Sequence, residues 1–193
     1  MDRLPARVLE PGDVRRLLAY TQHQRHHLRN NVIIMLSFKA GLRACEIAGL
    51  TWPMVLKSNG RIAEQLRISR HIAKYGSGRN IPVHSDLKTA LTDYHRSLGN
   101  PVEGPVILSE RGGSMTAMSV VNWFHDIYSR LELNGCSSHS GRRTFITLSA
   151  RAVSKAGGSL RDVQELAGHK ALTTTERYIE GSRDAQRKLI AML

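Results

Sequence analysis

Apolar residues recur along most of this chain at the spacing of helix faces and switch to alternation in one short stretch. Leu9 is followed by Glu10, Pro11, Gly12 and Asp13. That order places a proline at the first position of a helix, with Val14, Leu17 and Leu18 on one face. The run NVIIMLSFKAG, residues 31 to 41, is apolar nearly all round, which predicts a buried central helix ended by a left-handed Gly41. Leu87, Ala90, Leu91, Tyr94 and Leu98 keep a helical period, and so do Val120, Phe124, Ile127 and Leu131. Residues 61 to 83 differ: Leu66 and Ile68 alternate with Arg67 and Ser69, YGSG makes a turn, and Ile81 and Val83 alternate again. This is the signature of a β-hairpin, and Pro82 in its second strand predicts a sheet edge. The expected fold is α+β and mainly α, a small antiparallel β-sheet set against a helical core. No internal repeat, low-complexity tract or linker divides residues 1–193, so a single domain is expected.

Charge narrows the partners. The 193 residues carry 28 Lys and Arg against 16 Asp and Glu, a formal +12, as expected of a protein that meets a polyanion, nucleic acid first. The basic residues are spread along the chain instead of lining one amphipathic helix, and no apolar run is long enough to span a bilayer, which argues against a membrane partner. The first residues, MDRLPARVLEPGDV, hold no apolar core of an export signal. Cys45 and Cys136 are the only cysteines; with no close spacing they suit a reducing cytoplasm.

Candidate chemistry lies at structural punctuation points. From Lys57 to Arg79 the hairpin region holds six basic residues (Lys57, Arg61, Arg67, Arg70, Lys74, Arg79) and one acid, Glu64. Lys74 sits where the first strand meets the turn. A solvated strand face would account for that charge if the hairpin stood alone. In AGLRACEIAGL, Arg43 follows a helix-stopping glycine, with Glu46 three residues on and able to brace it; an ordinary surface ion pair reads the same. In SSHSGRRTFIT, His139 and Arg142 lie at an expected helix start capped by Ser138 or Ser140. The helix dipole disfavours a cation there unless an anion is to be bound. In SLRDVQELAGHK, Ser159 and Asp162 form a capping pair and Gly168 a stop, so His169 should emerge on a loop. Thr173 and Glu176 match a capping box and Gly181 ends the element, which predicts that Tyr178 rides a helix of about two turns.

Taken in order, these positions resemble the tyrosine recombinase (phage integrase) family over nearly all of the chain. That family's catalytic domain carries an arginine in Gly-Leu-Arg-x-x-Glu, a lysine on a β-hairpin, a His-x-x-Arg pair, a second histidine after Leu-x-Gly or Leu-Gly, and a tyrosine about nine residues further on. Arg43, Lys74, His139, Arg142, His169 and Tyr178 fill these places here. Two departures stand out. Gly141 occupies a position where the family often has leucine. Only about ten residues precede the first helix, so the family's usual N-terminal core-binding DNA domain is expected to be absent.

The resemblance implies attack by Tyr178 on a DNA phosphodiester, with Arg43 and Arg142 clamping the phosphorane oxygens. It implies His139 as the group that activates the phenol, Lys74 as general acid to the leaving 5′ oxygen and His169 as a phosphate hydrogen-bond partner, with Glu46 bracing Arg43. Lys57, Arg70, Arg79 and Arg143 are candidate DNA contacts. The chemistry implied needs no cofactor, metal or ATP. The implied partner is double-stranded DNA, bound by a homotetramer on paired sites, the free protein being a monomer. Residues 182–193, with apolar Leu189, Ile190, Met192 and Leu193, either pack on their own domain or dock on a neighbouring protomer. The alternatives are a non-catalytic DNA-binding regulator on the same scaffold, DNA relaxation of the type IB topoisomerase kind, and a metal nuclease using HQRHH at residues 23–27, which has no carboxylate nearby in sequence.

Overall fold

The computed structural model describes residues 5–178 together with 190–191. The first helix, α1 (Pro11–Gln22), starts with its proline in the first turn, and Glu10 and Asp13 satisfy each other's backbone groups in a capping box. It lies against α2 (His27–Lys39). Val32, Ile33, Ile34 and Leu36 of α2 are wholly buried, as an apolar circumference demands, because α4 (Ser85–Ser97) and α6 (Ser140–Ala152) also pack on it. Gly41 ends this central helix at φ +62°. A Cβ there would also lie 2.9 Å from Cε1 of Phe145 on α6, so glycine meets both the conformation and the approach.

The hairpin forms with the expected faces but a longer connection. Strands β1 (Gln65–Ile68) and β2 (Arg79–Pro82) pair antiparallel, Leu66 opposite Ile81 and Arg67 opposite Asn80. Leu66 and Ile81 are buried, as the alternation requires. Among the described residues the sheet has these two strands, so Pro82 disturbs no further ladder. In place of a tight YGSG turn, the link folds into a 3-10 turn, Lys74–Gly76, in which the Ser77 hydroxyl donates to the Lys74 carbonyl. Short helices complete the site: α3 (Ala44–Gly49), packed on α5 (Ala117–Arg130), then α7 (Leu160–Ala167) and α8 (Leu172–Glu176), which pack on each other. The expectation for residues 182–193 lies outside the described residues, apart from Ile190 and Ala191.

The glycine that departs from the resembled pattern has a packing reason. The start of α6 crosses α2 so closely that a Cβ on Gly141 would stand 2.9 Å from Cβ of Ser37 and 3.1 Å from Cδ2 of Phe38. A leucine has no room there. Gly141→Ala should lower the unfolding free energy by about 1–3 kcal/mol through overpacking, and Ser37→Gly in the same chain should recover part of it. Denaturant unfolding of the two single variants and the double variant checks the coupling.

Candidate functional site

Glu46 has no solvent exposure and stands in the first turn of α3, whose N-cap is Arg43. One oxygen accepts the Arg43 backbone N–H at 2.9 Å and the other the Arg43 Nη1 at 3.1 Å. Arg79 of β2 grips both oxygens, Nη1 at 2.7 Å and Nη2 at 3.0 Å, and its Nε donates to the Leu166 carbonyl at 2.8 Å. Burial pushes the Glu46 carboxyl upward, but the hydrogen bonds and charge of Arg79, with those of Arg43, outweigh it and hold the group ionised, below its ordinary value. Arg79 therefore departs from its expected part. With its side chain 5% exposed, it faces inward, on the same strand face as the core residue Ile81, and cross-links the hairpin to α3 and to the end of α7.

Arg142 is anchored on helix ends. Its Nη1 donates to the Gly41 carbonyl at 2.7 Å and its Nη2 to the Ala167 carbonyl at 2.6 Å, beyond the C-terminus of α2 and at that of α7. These orphan carbonyls are where a cation is favoured. The cation near the start of α6 thus has native partners, an arrangement the dipole reasoning from sequence did not foresee. Burial first, then Arg43, lowers its pKa to about 10, so it stays charged at neutral pH. The same loop corrects the cap assignment: His139 occupies the N-cap position without a side-chain cap bond. Ser140 Oγ accepts from the Ser137 N–H and Ser137 Oγ from the His139 N–H.

His169 follows Gly168, which ends α7 at φ +63° and would meet Arg79 Cδ at 2.9 Å if it carried a Cβ. The imidazole lies between Arg142 Nη2 and Thr175 Oγ1, each at 3.0 Å, and its ring stacks on Tyr178 at 5.6 Å between centroids. Burial, then Arg142, Arg43 and Arg79, push its pKa down to about 4; His139 is lowered by burial, Arg142, Lys74 and Arg43. Both are neutral at physiological pH. Tyr178 comes just past α8 instead of within it, and that helix is capped by Ala171, with no Thr173–Glu176 box. Its half-buried ring also packs against the small apolar cluster of Ile146, Val163 and Ala167, with Arg143 Cζ 5.5 Å above the ring.

Arg43, His139, Arg142, Arg143, His169 and Tyr178 line one cleft of about 630 Å³. Lys74 is exposed on the hairpin turn and outside that lining, yet its charge weighs on His139. Arg70 is exposed on the hairpin, while Lys57 pairs with Glu64 at 3.0 Å beside Lys88 at 2.7 Å. His26 lies 3.9 Å from Glu110, a carboxylate the sequence did not place near it; among the described residues no three metal-ligating groups converge. Around the cleft Arg43 and Arg79 bond the one buried carboxylate and Arg142 lies within reach of its charge, an excess of positive charge that suits an anionic ligand.

The model of the phage integrase family matches residues 7–184. The chain belongs to the phage integrase family. Tyrosine recombinase XerC of Pelobacter propionicus is 28% identical over 85% of this chain and 51% of its own length, and XerC of Xylella fastidiosa is 30% identical over 78% and 48%. The chain thus spans about half the length of the curated relatives it matches. Among solved structures, the Tn1549 transposon integrase in complex with transposon right end DNA superposes with a TM-score of 0.74 at 20% identity, covering 100% of this chain and 67% of that one. The XerH site-specific recombinase bound to difH substrate gives 0.71 at 19%, over 98% and 55%. The helical core with its small two-stranded sheet is therefore the phage integrase catalytic-domain fold. Among the described residues no helix is long and apolar enough to cross a membrane.

Breaking a buried ion pair from one side leaves the other charge stranded. Arg79→Ala should therefore cost about 3–5 kcal/mol of stability. With duplex DNA as the test polyanion, the slope of log affinity against log salt should not change, whereas a lost phosphate contact would reduce it by about 0.9. Denaturant titration and a salt series read the two effects separately. The ionised Glu46 contributes stability above its unfolded pKa of about 4.3, and the contribution is lost as pH falls through the lower folded value.

Proposed function

We propose that this domain breaks and rejoins duplex DNA at specific sites through a 3′-phosphotyrosyl intermediate, as a tyrosine-type site-specific recombinase that needs no metal or ATP. The observation that carries the reading is the convergence of Arg43, Arg142, His139, His169 and Tyr178 on one cleft with more guanidiniums than carboxylates. The named relatives are tyrosine recombinases, and several of the structural neighbours are complexes with DNA.

In this reading the Tyr178 oxygen attacks phosphorus as the bond to the 5′ oxygen breaks. The phenol must give up its proton as it attacks, and the neutral His139, its own protonation disfavoured by burial and three nearby cations, takes it. The extra negative charge of the phosphorane falls to Arg43 and Arg142, whose positions are fixed in advance by Glu46 and by the helix-end carbonyls. Lys74 swings in on the hairpin turn to protonate the departing 5′ oxygen. A 5′-hydroxyl from another strand reverses the sequence and releases Tyr178. Four protomers on two DNA sites, formed from monomers in the cytoplasm, complete the exchange; Arg70, Arg143 and Lys57 contact the duplex.

Tyr178→Phe should abolish the denaturation-resistant DNA adduct on a nicked suicide substrate while leaving DNA affinity in place. An adduct in that variant moves the nucleophile elsewhere. Lys74→Ala should cleave ordinary DNA poorly yet recover on a substrate with sulfur at the bridging 5′ position, because a thiolate leaves without a proton. Equal defects on both substrates would leave Lys74 as a phosphate contact only.

A further inference from the structure

We infer that Thr175 is a positioning residue that holds the His169 ring in the tautomer with its proton on Nδ1, so that the Nε2 lone pair meets Arg142. The bonding partners force this assignment. A guanidinium only donates hydrogen bonds, so Nε2 of His169, 3.0 Å from Arg142 Nη2, must offer its lone pair. The proton of the neutral ring is then on Nδ1, which faces Thr175 Oγ1 at 3.0 Å. The opposite tautomer would set N–H against N–H at Arg142; the threonine hydroxyl can accept or donate, so the guanidinium selects the tautomer and Thr175 holds the Nδ1–H that results. Gln164 holds the same residue by its backbone, its carbonyl accepting the His169 N–H at 3.1 Å and its Nε2 donating to the His169 carbonyl at 3.0 Å.

Thr175 has no solvent exposure, so water does not replace its hydroxyl as the partner of Nδ1. Its two oxygens serve both halves of the site. The side-chain oxygen holds the imidazole, and the backbone carbonyl accepts the Tyr178 N–H at 3.0 Å. The Tyr178 ring in turn stacks on the imidazole at an interplanar angle of 24°. One residue thereby registers the proposed nucleophile against the arginine clamp. When a phosphate enters and His169 gains a proton on Nε2 to donate to it, Nε2 gives up its bond from Arg142 Nη2, whose N–H turns to the phosphate, while the Nδ1–H···Oγ1 bond persists and holds the ring. The catalytic consequence rests on the recombinase reading; the tautomer does not.

The full chain with nitrogen-15-labelled histidine provides the test. In two-bond proton–nitrogen correlation spectra at neutral pH, with His169 assigned by its loss in His169→Asn, the wild type should show a protonated Nδ1 and an unprotonated Nε2. Thr175→Val, isosteric but without the hydroxyl, leaves Nδ1–H without its acceptor and should turn the single-tautomer pattern of His169 into an averaged one as the ring leaves this orientation, and Thr175→Ser should restore the wild-type one. A wild-type ring protonated on Nε2 overturns the inference without any variant, and so does an unchanged ring in Thr175→Val. In single-turnover cleavage Thr175→Val should be slower by about tenfold or more, by analogy with the loss of the partner that orients a metal-bound histidine, with Thr175→Ser close to wild type and DNA affinity equal in all three. Equal cleavage rates in all three would remove the positioning role. A wild type with the expected tautomer but no phosphotyrosyl adduct would instead refute the recombinase reading and leave the Thr175–His169 contact standing.

Discussion

A carboxylate without solvent exposure must be neutralised by hydrogen-bonded cations or become protonated, and the way Glu46 meets that constraint organises the site. Its two oxygens receive both Nη nitrogens of Arg79 and Nη1 of Arg43, with the Arg43 backbone N–H as a fourth donor. Since Arg79 comes from β2 and also reaches the Leu166 carbonyl, one buried anion sets the spacing between the hairpin, the start of α3 and the end of α7. Those are the segments that carry Lys74, Arg43 and His169. A buried pair of this kind is weak evidence for stability in itself; its use here is geometric, because any slippage of the hairpin would uncover a charge.

The second organising device is the placement of helix ends. Gly41 and Gly168 both turn into the left-handed region, stopping α2 and α7 so that Gly41 and Ala167 offer their carbonyls to the same guanidinium. The side chain of Arg142 can reach both because α6 starts with Ser140 and Gly141 against α2, where a larger residue would push the helix away. A charge-bearing side chain four per cent exposed is thus placed by backbone atoms, which move only if helices move. Preorganisation of this sort favours an anion in the cleft, since the donors need no rearrangement to receive it.

Much of this was legible in the sequence, and what was not has identifiable causes. Helix α2 announced itself by an apolar circumference, its end by Gly41, and the hairpin by alternation that put Leu66 and Ile81 inside. Arg79 belongs by charge with the exposed basic residues of the hairpin and by strand period with the core: it stands two residues before Ile81 and shares that inward face. The Thr173–Glu176 cap failed because a three-threonine run offers several registers, and the helix that forms is a single short turn-and-a-half fixed by its packing on α7. Thr175 escaped notice since its partner, the Nδ1 of His169, is brought near only by Gly168 and the loop that follows. Contacts across such loops leave no periodic trace.

The electrostatics of the cleft also fix how its histidines behave before any ligand arrives. Three arginines surround His169, and two arginines with Lys74 act on His139. Burial and that positive field both disfavour the imidazolium, so the empty site keeps one ring nitrogen unprotonated on each histidine at neutral pH. On unfolding, both rings return toward an ordinary value of 6.5 and bind protons more readily than in the fold. Their contribution to stability is therefore present above that value and declines as pH falls through the lower folded ones, in the same sense as that of Glu46. A phosphate in the cleft reverses the local field. Its charge offsets that of the arginines and makes a proton on either ring less costly, so in the proposed reaction the two histidines change character only when an anion is present.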